Sequence, residues 1–315
     1  MNRKVFSELS RAVGAILRGL NLTETAYEFL GLSKRKGGRG KGEMKKKHEK
    51  MLYPTVRVTG CKSGGSGTII YSEKTPESNV YETYILTNHH VIIDNIRLET
   101  KWSTLVKSDI KMDVLSECTV EFFDFEYESW ESGHIAYKGE IACYDANMDL
   151  ALIKVKSEKK FDFVAKLFPK GEHKKRLRMF QKLYCIGCAV GHQPLATEGH
   201  LTGFSDVIQN YPYWLSTAPS FYGNSGGAMF LIDTQEFIGI PARIQTTLLG
   251  YTKEVITHMS YFIPITSVYR FFDEQLFQFI YDKNFNSDKC REMREEKREQ
   301  AEIKLAKKAE NQVTK

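Results

Sequence analysis

From Leu52 onward, hydrophobic and polar positions alternate in short runs separated by turn residues. The clearest are Thr55-Val56-Arg57-Val58, Thr68-Ile69-Ile70-Tyr71, Thr83-Tyr84-Ile85-Leu86 and Phe123-Asp124-Phe125-Glu126-Tyr127-Glu128. A period of two places one face of a strand against a core. Further runs follow at Ala151-Leu152-Ile153-Lys154-Val155, Leu183-Tyr184-Cys185-Ile186, Ala228-Met229-Phe230-Leu231, Phe237-Ile238-Gly239-Ile240 and Tyr261-Phe262-Ile263. Too little helical pattern separates them for parallel strand-helix-strand units, so the body is expected to be mostly antiparallel β. The two ends read differently. Val5, Leu9, Val13, Ile16, Leu17 and Leu20 recur at helical spacing and predict a short amphipathic arm within residues 5–32. After Pro264, the residues Val268, Phe271, Phe272, Leu276, Phe279 and Ile280 fall on one helical face. Asp288 to Lys315 is mainly Glu, Lys, Arg and Ala, which predicts an exposed or partner-held helix with Ser287 as its cap. There is no internal repeat and no sustained heptad pattern.

Composition narrows the class. With 315 residues, 42% hydrophobic and 27% charged, wholesale disorder is excluded. The longest run without a formal charge, Val207 to Ile232, contains Pro212, Pro219, Gly223, Gly226 and Gly227, so it reads as strand and turn rather than a membrane-spanning helix. Glu8, Arg11 and Arg18 interrupt what would be the apolar core of an export signal. Six cysteines are too sparse for a disulfide scaffold, and reduced thiols in the cytoplasm are expected.

The net charge of +6 is unevenly placed. Lys34 to Lys50 holds nine Lys/Arg against two Glu, with four glycines between them. It reads as a flexible basic linker able to attract an anionic partner. Asp113 to Ser132 has seven acidic residues and no basic one, and could receive that linker in cis. The expected organisation is therefore an arm and linker over 1–50, a β body over 51–272 and a charged helical tail over 273–315.

Three short segments carry candidate chemistry. In Gly223-Asn224-Ser225-Gly226-Gly227, glycines allow the tight turn that could expose a serine and aim backbone N–H groups at an oxyanion. Serine is a poor nucleophile at its free pKa and needs a histidine base held by a carboxylate. Thr87-Asn88-His89-His90-Val91 ends an apolar strand, and Asp145-Ala146-Asn147-Met148-Asp149 precedes another. Taken singly, each is also an ordinary turn. Together they run in the order His, Asp, Ser.

Over roughly residues 52–272 the chain resembles the chymotrypsin-fold serine peptidases, most closely the HtrA/Deg branch. Ser63-Gly64-Gly65-Ser66-Gly67-Thr68-Ile69-Ile70 looks like that family's first hairpin. Tyr184-Cys185-Ile186-Gly187, Thr197-Glu198-Gly199-His200-Leu201-Thr202-Gly203 and Phe262-Ile263-Pro264-Ile265 fall where the family has similar pieces. The resemblance implies two antiparallel six-stranded β-barrels, residues 51–165 carrying His and Asp and residues 166–272 carrying Ser, with no cofactor or metal. It implies His90 as base in preference to His89, Asp149 as orienting acid in preference to Asp145, and Ser225 as nucleophile. The oxyanion hole would lie in Gly223, Asn224 and Ser225, through the N–H groups of Gly223 and Ser225. A pocket for the substrate residue preceding the cut would involve Pro219, Tyr222, Pro241 and Arg243. An acid is missing at Pro219, which argues against a Lys/Arg preference. Arg243 either favours an acidic residue or faces solvent.

Departures are visible too. Asn224 stands where trypsin has an aspartate that pairs with a newly cut N-terminus, and Cys188 stands where the HtrA/Deg branch usually has asparagine. The peptide-binding PDZ module common in that branch has no counterpart after Phe272. The implied role is an endopeptidase in protein quality control or in viral or phage precursor processing.

Rival readings are weaker. Gly223-x-Ser225-x-Gly227 also fits an α/β-hydrolase elbow, but that fold needs its acid and histidine after the serine, and His258 is the one histidine downstream. Cys185-x-x-Cys188 lacks a second pair for zinc, and buried strand thiols are the simpler reading. Gly60 to Gly67 lacks the ending of a phosphate loop. The alternative from another class is a catalytically silent scaffold that binds nucleic acid or protein through residues 34–50.

Overall fold

The computed structural model describes residues 39–75, 79–103, 108–249 and 251–313. The arm expected within 5–32 and the start of the basic run lie outside the described residues. Residues from Lys47 onward form one compact unit. The described part of the basic run is not an irregular linker: helix α1 covers Arg39–Lys47, and a π-helical turn His48–Leu52 follows. Lysine, glutamate and methionine are good helix formers, and here that local preference outweighs the glycines. Tyr53 then stacks on Phe125 at 5.2 Å and donates to the carbonyl of Glu128, while His48 bonds Ser129.

The first barrel is closed by six strands in the order β1-β2-β3-β8-β7-β6. They are β1 (Thr55–Thr59), β2 (Gly64–Lys74), β3 (Tyr81–Thr87), β6 (Cys118–Glu126), β7 (Trp130–Asp145) and β8 (Leu150–Ser157). Between β3 and β6 a separate two-stranded sheet projects, made of β4 (Ile96–Ser103) and β5 (Ser108–Leu115). The run Phe123 to Glu128 is not all strand. Tyr127 and Glu128 have φ of 47° and 68°, the left-handed pair that turns a tight hairpin.

The second barrel contains β10 (Lys182–Gly187), β11 (Leu195–Ile208), β12 (Tyr211–Ser216), β13 (Ala228–Leu231), β14 (Glu236–Leu249) and β15 (Thr252–Pro264). Pairing of β13 with β14 closes it, and the short β9 (Lys166–Leu167) adds a parallel edge to β14. The fold is thus mostly β, two closed six-stranded antiparallel barrels followed by helices.

The two cores explain the sequence texture. Val56, Val58, Ile69, Ile85, Val120, Ile153 and Val155 fill the first barrel. Their alternate neighbours Ile70, Tyr84, Leu86 and Leu152 face outward and join the core of the second barrel. Strands buried on both faces lose strict alternation, which is why β3 and β8 read as nearly continuous apolar runs.

The helix predicted after Pro264 is shorter than its pattern. The helix following β15 spans Ile265–Glu274 and stops where Leu276 takes φ 59°. Phe277, Phe279 and Ile280 stay buried in the next turn, with Phe277 and Phe279 edge-on to Tyr84. The final helix spans Ser287–Val313. Its cap is Asn286 rather than Ser287, since Asn286 Oδ1 accepts from the N–H of Lys289.

Candidate active site

His90 follows directly from how β3 ends. Strand β3 is buried through Thr87, and the chain then turns through helix α2, His89–Ile92. Val91 and Ile92 insert into the first-barrel core, which leaves the side chain of His90 44% exposed on the opposite side. Asp149 sits immediately before β8 with φ 55°, and its side chain is 12% exposed. The two meet. Asp149 Oδ2 and Oδ1 lie 2.8 and 3.0 Å from His90 Nδ1, and Oδ1 also accepts the His90 backbone N–H at 3.0 Å. Asn88, wholly buried, fixes the other side by donating to the carbonyl of Asp149 at 2.8 Å.

An ionised carboxylate can only accept, so the bond assigns the imidazole proton to Nδ1 and leaves a lone pair on Nε2. The neighbouring candidates are otherwise occupied. His89 is buried and stacked on Tyr144 at 5.1 Å, and burial holds its pKa below the ordinary histidine value. Asp145 accepts from the N–H groups of Asn147 and Met148 and so caps the turn.

Ser225 lies in the turn before β13, pinned to the first barrel by β2. Its carbonyl accepts from the N–H of Ser66 at 2.8 Å. Gly65 makes the approach feasible: a Cβ there would stand 2.8 Å from both the Ser225 carbonyl and the Val91 side chain. The serine turn and the histidine turn therefore flank one point where no side chain fits.

Ser66 was not singled out from sequence, and it is the hub of this junction. It is fully buried, donates through Oγ to the carbonyl of Gly223 at 2.6 Å and accepts at Oγ from the N–H of Cys188 at 2.7 Å. Its own carbonyl accepts from Thr87 Oγ1. The visible sequence signal was a polar residue at the buried end of a glycine-rich strand.

The turn's backbone groups are oriented by what holds their carbonyls. In a trans peptide the N–H points opposite to the C=O. The Tyr222 carbonyl accepts from Val190 N–H at 2.7 Å and the Asn224 carbonyl from Gly227 N–H at 2.9 Å, which fixes the N–H directions of Gly223 and Ser225. Among the described residues, neither of these two N–H groups has a partner. The N–H of Asn224 is taken by Phe221, and its side chain is buried against Cys185 Sγ. Gly223 has φ 96°, in a region that favours glycine.

The residues expected to line a pocket are more dispersed. Pro241 is buried and its carbonyl accepts from Gly226 N–H; Pro219 accepts from Thr197; Tyr222 is exposed. Arg243 donates to Tyr213 Oη at 3.2 Å and to Gln209 Oε1 at 2.8 Å, with its guanidinium over the Tyr213 ring. Cys185 and Cys188 are both buried, and burial pushes each thiol up to about 12. Among the described residues no cluster of His, Cys, Asp and Glu is arranged to hold a metal.

The family model of the trypsin-like peptidase domain matches residues 65–240, a span that includes His90, Asp149 and Ser225. The chain belongs to the trypsin-like peptidases. Among solved structures it is similar in fold to Deg5, with a TM-score of 0.50 and 20% identity over 73% of this chain and 92% of that one. That likeness agrees in fold with the HtrA/Deg resemblance of the sequence. No curated protein matches the chain. Among the described residues no helix is long and apolar enough to cross a membrane.

Proposed function

We propose that this trypsin-like peptidase is a catalytically competent serine endopeptidase using His90, Asp149 and Ser225. The observation that supports the reading is the two-point grip of Asp149 on His90, through the backbone N–H and Nδ1, which leaves Nε2 free to act as the base. His90 takes the proton from Ser225 Oγ as that oxygen attacks a peptide carbonyl. The N–H groups of Gly223 and Ser225 receive the oxyanion, and the protonated His90 then gives its proton to the leaving amine. Water hydrolyses the acyl-enzyme by the reverse use of the same groups.

The test is covalent labelling of purified protein by a fluorophosphonate probe. Wild type and His89→Ala are expected to label, while Ser225→Ala and His90→Ala are not. A folded wild type that fails to label would overturn the reading in favour of a silent scaffold, and its binding to nucleic acid through the basic segment 34–50 would then be measured.

A further inference from the structure

Strands β4 and β5 belong to neither barrel. The chain leaves the helix that bears His90 through one turn, Ile93–Asn95, in which Asn95 is wholly buried. From there β4 and β5 pair only with each other among the described strands. An isolated two-stranded ribbon is marginal in water and gains independent stability from further strands or a covering face. Leu98, Trp102, Met112 and Leu115 of this ribbon are nonetheless exposed.

The bonding pattern shows which main-chain groups of β4 are unused. Ser116 N–H donates to the Asn95 carbonyl at 2.9 Å, in the same register that pairs Ile96 with Leu115. Bonded and non-bonded pairs alternate along an antiparallel ladder, so Arg97, Glu99 and Lys101 direct their N–H and C=O groups to β5. Leu98, Thr100 and Trp102 turn theirs to the open edge, and residues 98–102 are all exposed.

This edge is complementary to itself. Two copies of β4 laid antiparallel about a two-fold axis at Thr100 set Leu98 against Trp102 and Glu99 against Lys101, each pair occurring twice. Aromatic–aliphatic and opposite-charge cross-strand pairs both stabilise a sheet. Leu98 with Trp102 and Thr100 with Thr100 fall on bonded positions, for about six main-chain hydrogen bonds in all. Glu99 with Lys101 falls on the non-bonded positions, where side chains stand closest. Charge on an edge ordinarily guards it against a second strand, but here it selects one register. Moving the axis to Glu99 or to Lys101 sets like charges face to face. An axis at Leu98 would match Arg97 with Glu99, yet it carries the second copy's Lys101 onto the buried Asn95. We propose that β4 is a symmetric docking surface whose occupant is the β4 strand of a second copy of this chain, the two hairpins joining in one four-stranded sheet.

The test is sedimentation velocity on the full-length protein across a concentration series. A contact of this size lies at the weak end of protein interfaces, so wild type is expected to be monomeric when dilute and dimeric by about 100 μM. Glu99→Lys and Lys101→Glu each place like charges opposite one another at both pairs, and each variant alone is expected to dimerise about tenfold or more weakly than wild type. Mixed in equal amounts, the two variants present only opposite charges across the axis and are expected to form a heterodimer at close to the wild-type affinity. A misfolded hairpin does not regain affinity on mixing, which separates loss of pairing from loss of structure. Wild type that stays monomeric throughout, charge reversals that dimerise as wild type does, or a mixture no tighter than its components overturns the proposal.

Discussion

Ser66 shows how one buried hydroxyl can set the aim of a catalytic turn. Its Oγ satisfies Gly223 and Cys188 at once, tying β2 of the first barrel to both sides of the oxyanion turn. Ser66→Ala leaves a buried N–H and a buried carbonyl unpaired, a loss of about 1–3 kcal/mol. The turn relaxes, and the expected result is a fall in fluorophosphonate labelling rate larger than the drop in melting temperature explains. Equal proportional effects on both would make Ser66 purely structural. His89 supports a second prediction at this scale. Burial is the main cause of its lowered pKa, with the Asp149 carboxylate acting in the opposite sense. The unfolded chain therefore binds a proton that the folded chain resists, so stability is complete above the ordinary histidine value near 6.5 and declines as pH falls below it. Melting temperature measured from pH 7.5 to 5 is expected to fall less steeply in His89→Gln than in wild type. The sequence marked His90, Asp149 and Ser225 through strand ends and glycines, but Ser66 stayed hidden because its partners are 122 and 157 residues away.

At the level of elements, legibility followed the source of each element's stability. Strands with an apolar face, such as Thr55–Thr59 and Ala228–Leu231, were evident from pattern. The β4–β5 sheet was not, because its exposed Leu98, Trp102 and Met112 alternate with no face that is buried. The helix after Pro264 was overextended because Phe277, Phe279 and Ile280 keep a helical spacing while packing through a different turn. The last helix, Ser287–Val313, carries its attachment near its start. Cys290 is buried, Arg294 lies over the Phe277 ring at 4.1 Å and donates to the Leu276 carbonyl, and Lys297 donates to the Glu274 carbonyl. Truncation after Lys297 is expected to leave the melting temperature within about one degree, since exposed helix contributes little. Arg294→Ala, by contrast, removes a cation–π contact and a half-buried donor together, and is expected to cost about 1–2 kcal/mol in chemical denaturation. A destabilising truncation with a silent Arg294→Ala would reverse the assignment of where this helix is held.

The whole molecule depends on two barrels being closed against each other by a shared apolar layer, without a covalent staple. Ile70, Tyr84, Leu86 and Leu152 of the first barrel pack into the core that holds Leu183, Met229, Phe230 and Phe262 of the second. All six cysteines are free thiols, and five of them are wholly or partly buried. Burial pushes Cys118, Cys185 and Cys188 up to about 12 and Cys143 upward as well, so these thiols remain protonated at neutral pH. A protonated, buried thiol is both unreactive and inaccessible. Cys61, exposed in the turn between β1 and β2, differs from them in accessibility. Native protein treated with an aromatic disulfide reagent is therefore expected to release one equivalent of thiol quickly and the other five at the rate of unfolding. Cys61→Ser should abolish the fast phase, and a reducing agent should leave the melting temperature unchanged. Because Cys185 and Cys188 lie under the oxyanion turn, fast reaction of more than one thiol in the Cys61→Ser protein would mean that the layer between the barrels opens without global unfolding. The site would then be assembled transiently, and labelling of Ser225 would slow in step with that opening.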